Sequence, residues 1–134
     1  MRKISLKLRT EMQNDPFYSR CCVTGKGIKT ENRFNEDRIE WHHNLIFAGR
    51  QVNEKWCILP VVKHIHDREK EPEIKERINW IMLNRATDEE LERYSKARNL
   101  KAERDKLNEK LGTWESNIYI QFSERKSTHR AGYL

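Results

Sequence analysis

The sequence predicts an α+β fold, in which a short β-hairpin precedes a mostly helical C-terminal half. Apolar Ile39 and Trp41 alternate with polar neighbours, which is the two-residue period of a strand. A second apolar run at residues 56–59 stops at Pro60, and this predicts a partner strand joined by a loose loop. After Pro72 the apolar residues recur at helical spacing. A strand pair followed by helices is therefore the expected order of elements.

The composition favours one compact domain with a small core. The chain has 134 residues, of which 36% are hydrophobic and 36% are charged, and its mean hydropathy is -1.01. Lysine and arginine total 27 against 21 acidic residues, which gives a formal charge of +6 and a pI near 9.3. This positive surplus favours a polyanionic partner without identifying one.

The cysteines and the short apolar runs indicate a soluble protein of a reducing cytoplasm. Cys21, Cys22 and Cys57 form an odd set with two adjacent members, so we expect buried small residues and no disulfides. The longest mostly apolar run, residues 56–62, is far shorter than the ~20 residues that span a bilayer. Residues 1–20 contain no signal-peptide run. No membrane association is therefore expected.

Composition and element order divide the chain into three parts. Residues 1–20 are predicted to be a basic N-terminal arm, which the apolar alternation near its start leaves open as a short helix, an edge strand or an extended segment. Residues 21–86 contain the hairpin and a following helix. Residues 87–134 are predicted to hold a long charged helix, a short strand and a basic tail.

The central part is predicted to open with a turn and to close with a helix. The stretch "CCVTGKG" carries two glycines and predicts a tight turn. Pro60 should end the second strand, which leaves residues 61–70 free to become helical. Pro72 suits the first turn of the next helix, with acidic groups at the positive end of its dipole. The buried face of that helix is predicted at Ile74, Ile78, Ile81 and Met82.

The C-terminal part is predicted to begin with one continuous, thinly apolar helix over residues 88–111. Thr87 followed by Glu90 fits a capping box, and Gly112 suits a C-cap. A helix this polar is exposed, frayed or paired with another helix, so a homodimer, an arm across DNA and a tether to another protein all remain open. The later large apolar residues of this helix are Leu100, Leu107 and Leu111.

Residues 117–122, "NIYIQF", alternate apolar and polar side chains and predict a short strand. The remaining residues are basic and small, which is typical of a chain terminus without regular structure.

Four histidines stand near the hairpin, and they carry the strongest functional signal. His42 and His43 end the first strand, where neighbouring side chains point to opposite faces, so one can bind a metal while the other faces a substrate. His64 and His66 lie near a helix start. Neutral imidazole binds divalent metals and can act as a general base. Together these residues have the parts needed for metal-assisted phosphodiester hydrolysis.

The stretch from Cys21 to about Lys70 resembles the HNH endonucleases. Their ββα-metal motif has a metal ligand and a histidine closing the first strand, a loop with an asparagine, a second strand with an apolar-proline step, and a helix with a metal-binding histidine. Here "IEWHH", "AGRQVNEKW", "CILPVV" and "KHIHD" occur in that order. The resemblance implies a ββα-metal hairpin and helix within the predicted α+β fold, and a cytoplasmic setting in bacteria or phage-infected cells.

By position, the resemblance implies a role for each histidine near the hairpin. His42 corresponds to the strand metal ligand and His43 to the general base that activates water. His66 corresponds to the helix ligand, with His64 as an additional or replacement ligand. Asn53 corresponds to the asparagine that keeps the base histidine oriented.

Two departures from the family pattern bear on the metals. Thr24 stands where a structural zinc site would need a cysteine, so we expect no structural zinc. Lys70 stands where a second helix histidine is expected, so we expect one divalent metal ion with two or three protein ligands and several waters. Magnesium, manganese, nickel and zinc all suit such a site.

The resemblance implies that the chain is a metal-dependent DNA endonuclease, with basic residues around the motif contacting phosphates. Such contacts would weaken with salt and would carry no sequence information. A non-catalytic, zinc-stabilised nucleic-acid-binding module is the main alternative, and an interaction protein centred on the long helix is a third. The expected phosphate-binding residues are Arg50, Lys55, Lys63, Arg68 and Lys70.

Overall fold

The computed structural model describes residues 4–112 of the chain. In this part the fold is mixed α+β, with five α-helices and two small antiparallel sheets, which confirms the predicted class in its general form. The elements follow the order α1 (Leu6–Asn14), β1 (Ile39–His43), β2 (Ile46–Phe47), β3 (Arg50–Gln51), β4 (Ile58–Val62), α2 (Lys63–His66), α3 (Pro72–Arg85), α4 (Asp88–Arg93) and α5 (Leu100–Leu111). Short 3-10 turns cover Pro16–Ser19 and Lys55–Cys57.

The two predicted strands pair as β1 and β4, with Trp41 opposite Pro60. The prediction that Pro60 ends the second strand is wrong, because β4 continues two residues beyond it. The Asn44 amide donates to the Cys57 carbonyl (2.9 Å), so these facing residues form a hydrogen-bonded pair of the ladder. Hydrogen-bonded and non-hydrogen-bonded pairs alternate along an antiparallel ladder, which makes Trp41 and Pro60 a non-hydrogen-bonded pair. There the missing N–H costs the ladder nothing. The Pro60 carbonyl instead accepts from the Cys22 amide (2.8 Å).

The core lies between the β1–β4 pair and α3. Every residue of β4 is buried. The predicted apolar face of α3 is confirmed, since Ile74, Ile78, Ile81 and Met82 are all buried. The three cysteines are buried as predicted, and burial raises the pKa of the Cys22 and Cys57 thiols. Those two thiols therefore stay protonated and serve as small apolar residues.

Residues 6–19, which belong to the predicted N-terminal arm, are helical and contribute to the core. Of the conformations that the sequence leaves open, the structure has the short helix, α1, followed by a 3-10 turn. Met12 and Tyr18 are buried. The Tyr18 hydroxyl lies 2.6 Å from the Lys55 carbonyl oxygen and 2.8 Å from that of Ile58. These contacts hold the segment against the start of β4.

The continuous helix predicted for residues 88–111 is wrong, because the chain turns between α4 and α5. Leu91 and Leu100 are both fully buried. Nine residues along an uninterrupted helix rotate by about 900°, which would put these two side chains on opposite faces. The turn lets both reach one core. Asn99 then caps α5 by accepting from the Ala102 amide (3.1 Å).

Helix α5 packs against α3 of the same chain. Leu100 is buried in the core, and Leu107 and Leu111 pack against it. These are the leucines on which the homodimer prediction depends, and they pack against the core of their own chain. The homodimer stays a prediction. The predicted capping box of α4 is confirmed by reciprocal bonds between Thr87 and Glu90 at 2.9 and 3.1 Å.

Within residues 4–112, no helix combines the length and the apolar character needed to cross a bilayer. The strand predicted at residues 117–122 and the basic tail lie outside the described residues.

Candidate metal centre

His42 of β1 and His66 of α2 face each other across 24 residues of sequence. Nδ1 of His42 lies 3.2 Å from Nε2 of His66. The ring centroids are 4.9 Å apart, and the rings meet edge to face. The two side chains are 12% and 29% exposed, so both are partly accessible to solvent. The structure thus brings two of the predicted metal-binding residues together.

Glu69, which is not among the predicted ligands, completes a group that could hold a metal ion. Its Oε2 lies 2.9 Å from Nδ1 of His42 and 3.3 Å from Nε2 of His66. This oxygen is buried, and no donor within residues 4–112 forms a hydrogen bond to it. Because an unpaired buried carboxylate oxygen is costly, a cation bound at this position would satisfy it. The signal available in the sequence is a carboxylate three residues after His66. We call His42, His66 and Glu69 the metal triad.

Hydrogen bonds on the far side of each imidazole determine which ring nitrogen is free. Nε2 of His42 donates to Oδ1 of Asn44 (3.0 Å), since an amide oxygen can only accept. Asn44 is held in turn by donating to Oδ1 of Asn79 on α3 (2.8 Å). Nδ1 of His66 donates to a carboxylate oxygen of Glu40 (2.9 Å). The remaining nitrogens, Nδ1 of His42 and Nε2 of His66, carry the lone pairs and lie 3.2 Å apart, and an outer hydrogen bond on each ring is typical of metal-binding histidines.

The spacing of the donor atoms fits a single cation. The three donor atoms are separated by 3.2, 2.9 and 3.3 Å. Ligands about 2.0 to 2.1 Å from one ion are about 3.3 Å apart in a tetrahedron and about 2.9 Å apart in an octahedron. Two imidazoles and one carboxylate suit zinc, nickel or manganese better than magnesium. Three ligands from the described residues leave further coordination positions for water or substrate.

Burial lowers the pKa of His42, while the Glu69 charge and the Asn44 hydrogen bond act in the opposite direction. The charges of His66 and His43 lower that pKa further. His42 is therefore mostly neutral at neutral pH. Since its proton is on Nε2, the 2.9 Å contact from Nδ1 to Glu69 joins two acceptors. Two acceptors at this distance repel each other unless a cation lies between them.

His43 follows His42 in β1, so its side chain starts from the opposite face of the strand. Nε2 of His43 donates to Oδ1 of Asn53 (2.8 Å). The lone pair of the ring is consequently on Nδ1, which can accept a proton. The structure places Asn53 in the contact that the family resemblance implies, and the catalytic roles of both residues stay predictions.

The loop that carries Asn53 is fixed through the next residue, Glu54. The Trp56 indole N–H donates to one Glu54 carboxylate oxygen (3.2 Å), and the Tyr94 hydroxyl donates to the other. Burial together with the neighbouring Glu54 carboxylate raises the pKa of Tyr94 to about 12. Tyr94 therefore remains a donor over the whole physiological range. The end of α4 thus anchors the loop that orients His43.

His64 lies outside the metal triad. Its Nε2 is 3.8 Å from Oδ1 of Asp37, and its side chain is 42% exposed. Residues two apart in a helix point about 200° away from each other, so His64 and His66 cannot both face β1. The structure brings His66 and not His64 to His42.

Three of the five predicted phosphate-binding residues form ion pairs within the chain, and two do not. Arg50 and Lys70 are exposed, and neither has an ion pair within residues 4–112. The other three form ion pairs at 2.7 or 2.8 Å, which join Lys55 to Asp15, Lys63 to Asp67 and Arg68 to Glu71. Arg50 and Lys70 are therefore the best placed of the five to neutralise phosphates.

Comparisons with protein-family models, with curated proteins and with solved structures found no match to this chain. The residues that bear on its function are the metal triad, His43 and the side chains that orient them.

Proposed function

We propose that this protein is a metal-dependent DNA endonuclease of the HNH type, which hydrolyses phosphodiester bonds with one divalent cation. The observation that carries the proposal is the convergence of three donor atoms of the metal triad at 2.9 to 3.3 Å. The residue after His42 in the chain is a second histidine, already oriented by Asn53. A metal site and an oriented imidazole on consecutive residues of β1 supply the Lewis acid and the general base that this hydrolysis needs.

The order of elements supports a ββα-metal assignment. The antiparallel strands β1 and β4 are followed directly by α2, and the metal triad draws on β1, α2 and the turn after α2. Asn53 lies in the segment between the strands, as the asparagine of the motif should. The helical part of the motif is short here, since α2 spans only Lys63–His66.

The chain's own residues divide the chemistry between them. His42, His66 and Glu69 would hold the cation. When bound, that cation supplies positive charge to stabilise the developing charge on the phosphate and the leaving oxygen. His43 accepts a proton from the attacking water at Nδ1, while its Nε2–H stays with Asn53. General-base assistance of this kind typically contributes ~100- to 10,000-fold in rate.

The main alternative is a non-catalytic, zinc-stabilised module that binds nucleic acid. A structural zinc site is closed by four protein ligands, whereas a catalytic one keeps a position open. Glu40 is not part of the group, and one of its oxygens instead accepts from the other nitrogen of His66, which is how a partner that orients a ligand binds. The three-ligand triad within residues 4–112 thus favours the catalytic proposal.

The test is cleavage of supercoiled plasmid by the purified full chain with magnesium, manganese, nickel or zinc. His43→Ala should lose cleavage by about 100-fold or more while keeping metal and DNA binding. His64→Ala is the matched control, because His64 lies outside the metal triad, and it should cleave like the parent. Wild-type activity in His43→Ala would remove that residue from the mechanism. No cleavage with any metal, together with unfolding on chelation, would favour the zinc-stabilised module.

A further inference from the structure

Phe34 has an unusual degree of exposure for an aromatic residue. Its side chain is 88% exposed, more than any other large apolar side chain in the described chain. Phenylalanine is usually at least partly buried, because leaving the ring in water forgoes its hydrophobic stabilisation. A ring held outside the core in this way is available to contact another molecule.

The loop that presents Phe34 is well ordered by its own side chains. Oδ1 of Asn32 accepts from the Phe34 amide (3.0 Å), and Oδ1 of Asn35 accepts from the Asp37 amide (2.9 Å). The Asn35 amide also donates to the Asn32 carbonyl (3.2 Å). Phe34 therefore projects from a defined turn.

The same loop is bonded to α2, the helix that carries His66 of the metal triad. The His64 amide donates to the Glu36 carbonyl (3.2 Å), and Lys63 Nζ forms an ion pair with the Glu36 carboxylate (3.2 Å). Phe34 is two residues from Glu36, and His66 is two residues from His64. With at most ~3.6 Å per residue, the backbone of Phe34 lies within roughly 20 Å of that of His66. Along a DNA strand this distance is about six nucleotides.

The surroundings of Phe34 suit a nucleic acid better than a protein. Residues 29–38, "KTENRFNEDR", contain no other aromatic or aliphatic side chain, so they form no contiguous apolar patch of the kind that protein partners cover. Within this loop Glu36 is engaged by Lys63 and Asp37 lies near His64. The loop holds three positive and three negative side chains, and the ion pair of Glu36 with Lys63 leaves three positive charges against two negative ones.

We propose that Phe34 stacks on a nucleobase of the bound substrate near the cleavage site. The proposal rests on the proposed endonuclease function and adds the kind of substrate to it. Stacking needs an accessible base face, so the protein should prefer DNA with an unpaired or unstacked base over a perfect duplex. Such stacking tolerates any base, because every base has a π face.

The experiment measures binding of the full chain carrying His43→Ala, with manganese present, to oligonucleotides that contain 2-aminopurine in a bulge or in a matched duplex. In the parent, stacking of Phe34 on the bulged 2-aminopurine should quench the emission of that base. Phe34→Ala should abolish this quenching and should weaken binding to the bulged substrate by roughly 5- to 150-fold. Phe34→Leu keeps an apolar side chain but should lose the quenching. Leu6→Ala is the control, since Leu6 is also exposed (79%) but has no ring.

The outcomes separate this proposal from the one on which it rests. Unchanged affinity and unchanged quenching in Phe34→Ala, with tight binding by the parent, would overturn the stacking proposal and leave the endonuclease intact. Equal quenching in Phe34→Leu would also overturn stacking. A parent that binds neither substrate would overturn both proposals. Selective loss of bulge binding and of quenching, with Leu6→Ala unchanged, would support the proposal.

Discussion

Replacing Glu69 by glutamine should have opposite effects on metal binding and on the stability of the metal-free protein. Glutamine keeps the shape of the side chain and removes its charge. Loss of a partner that only orients a ligand typically costs 10- to 100-fold in metal affinity, so removing a charged ligand should cost at least about 100-fold. That factor corresponds to about 2.7 kcal/mol of binding free energy.

The metal-free protein should become more stable in the same variant. Oε2 of Glu69 is buried, lacks a donor within residues 4–112 and lies 2.9 Å from the neutral nitrogen of His42. Removing an unpaired buried polar group raises the free energy of unfolding by about 1 to 3 kcal/mol. The lower value applies here, because the Glu69 side chain is 33% exposed. A gain of about 1 kcal/mol raises the Tm of a domain of this size by roughly 3 to 4 °C.

The assay is thermal unfolding in chelator and in excess metal, combined with calorimetric metal titration at a pH above 7. Glu71→Gln is the matched control, because that carboxylate is directed at Arg68 (2.8 Å), and it should not alter metal affinity. Wild-type metal affinity in Glu69→Gln, or a lower Tm in chelator, would refute the assignment of Glu69 to the metal triad.

Three other predictions follow from the same structure. Gly27→Ala should destabilise the protein by at least about 2 kcal/mol in denaturant unfolding, because Gly27 has φ +116° and a Cβ would lie 2.6 Å from Cγ1 of Val62; a smaller loss would mean that Val62 moves aside freely. Asn53→Ala should lower kcat and change the pH–rate profile without changing metal affinity, since His43 loses its acceptor, and an unchanged profile would count against that orientation. Burial lowers the pKa of His42 in the folded protein. As pH falls below about 6.5, the unfolded chain therefore binds a proton at His42 more readily than the folded protein does, and the free energy of unfolding should fall. Metal affinity should also fall with acidification, because protons compete with the metal for the histidine. Melting and metal titrations from pH 8 to pH 5 would show no such trend if His42 were freely protonated in the folded state.

Local patterns in the sequence were sufficient for several of the regular elements. The alternation of Ile39 and Trp41 predicts β1, because a strand period of two residues is visible without any partner. Pro72 predicts the start of α3, and the Thr87 and Glu90 pair predicts the start of α4, because capping depends on residues a few positions apart. Each of these features depends only on residues within a few positions of one another in the sequence.

The candidate site could be predicted in part. Residue type and position at a strand end and a helix start indicate four candidate histidines, and the choice of His42 and His66 among them follows from the resemblance to the HNH endonucleases. Glu69 could not be chosen in the same way, because the chain has many carboxylates near α2 and only the turn after it decides which one reaches the histidines. The role of Asn44 in orienting His42 could not be predicted either, because Asn44 is held by Asn79, which lies 35 residues later on α3.

The sequence by itself determined β1, the starts of α3 and α4 and the residue types able to bind a cation, because these depend on local periodicity and on side-chain chemistry. Only the tertiary structure decided which of those residues meet. It placed Pro60 inside a strand where no ladder bond is lost, and it broke the predicted helix so that Leu91 and Leu100 share one core. It also turned His66 toward β1 and His64 toward solvent, since 200° of helical rotation separates them. Contacts between residues far apart in sequence depend on packing, and no local pattern encodes them.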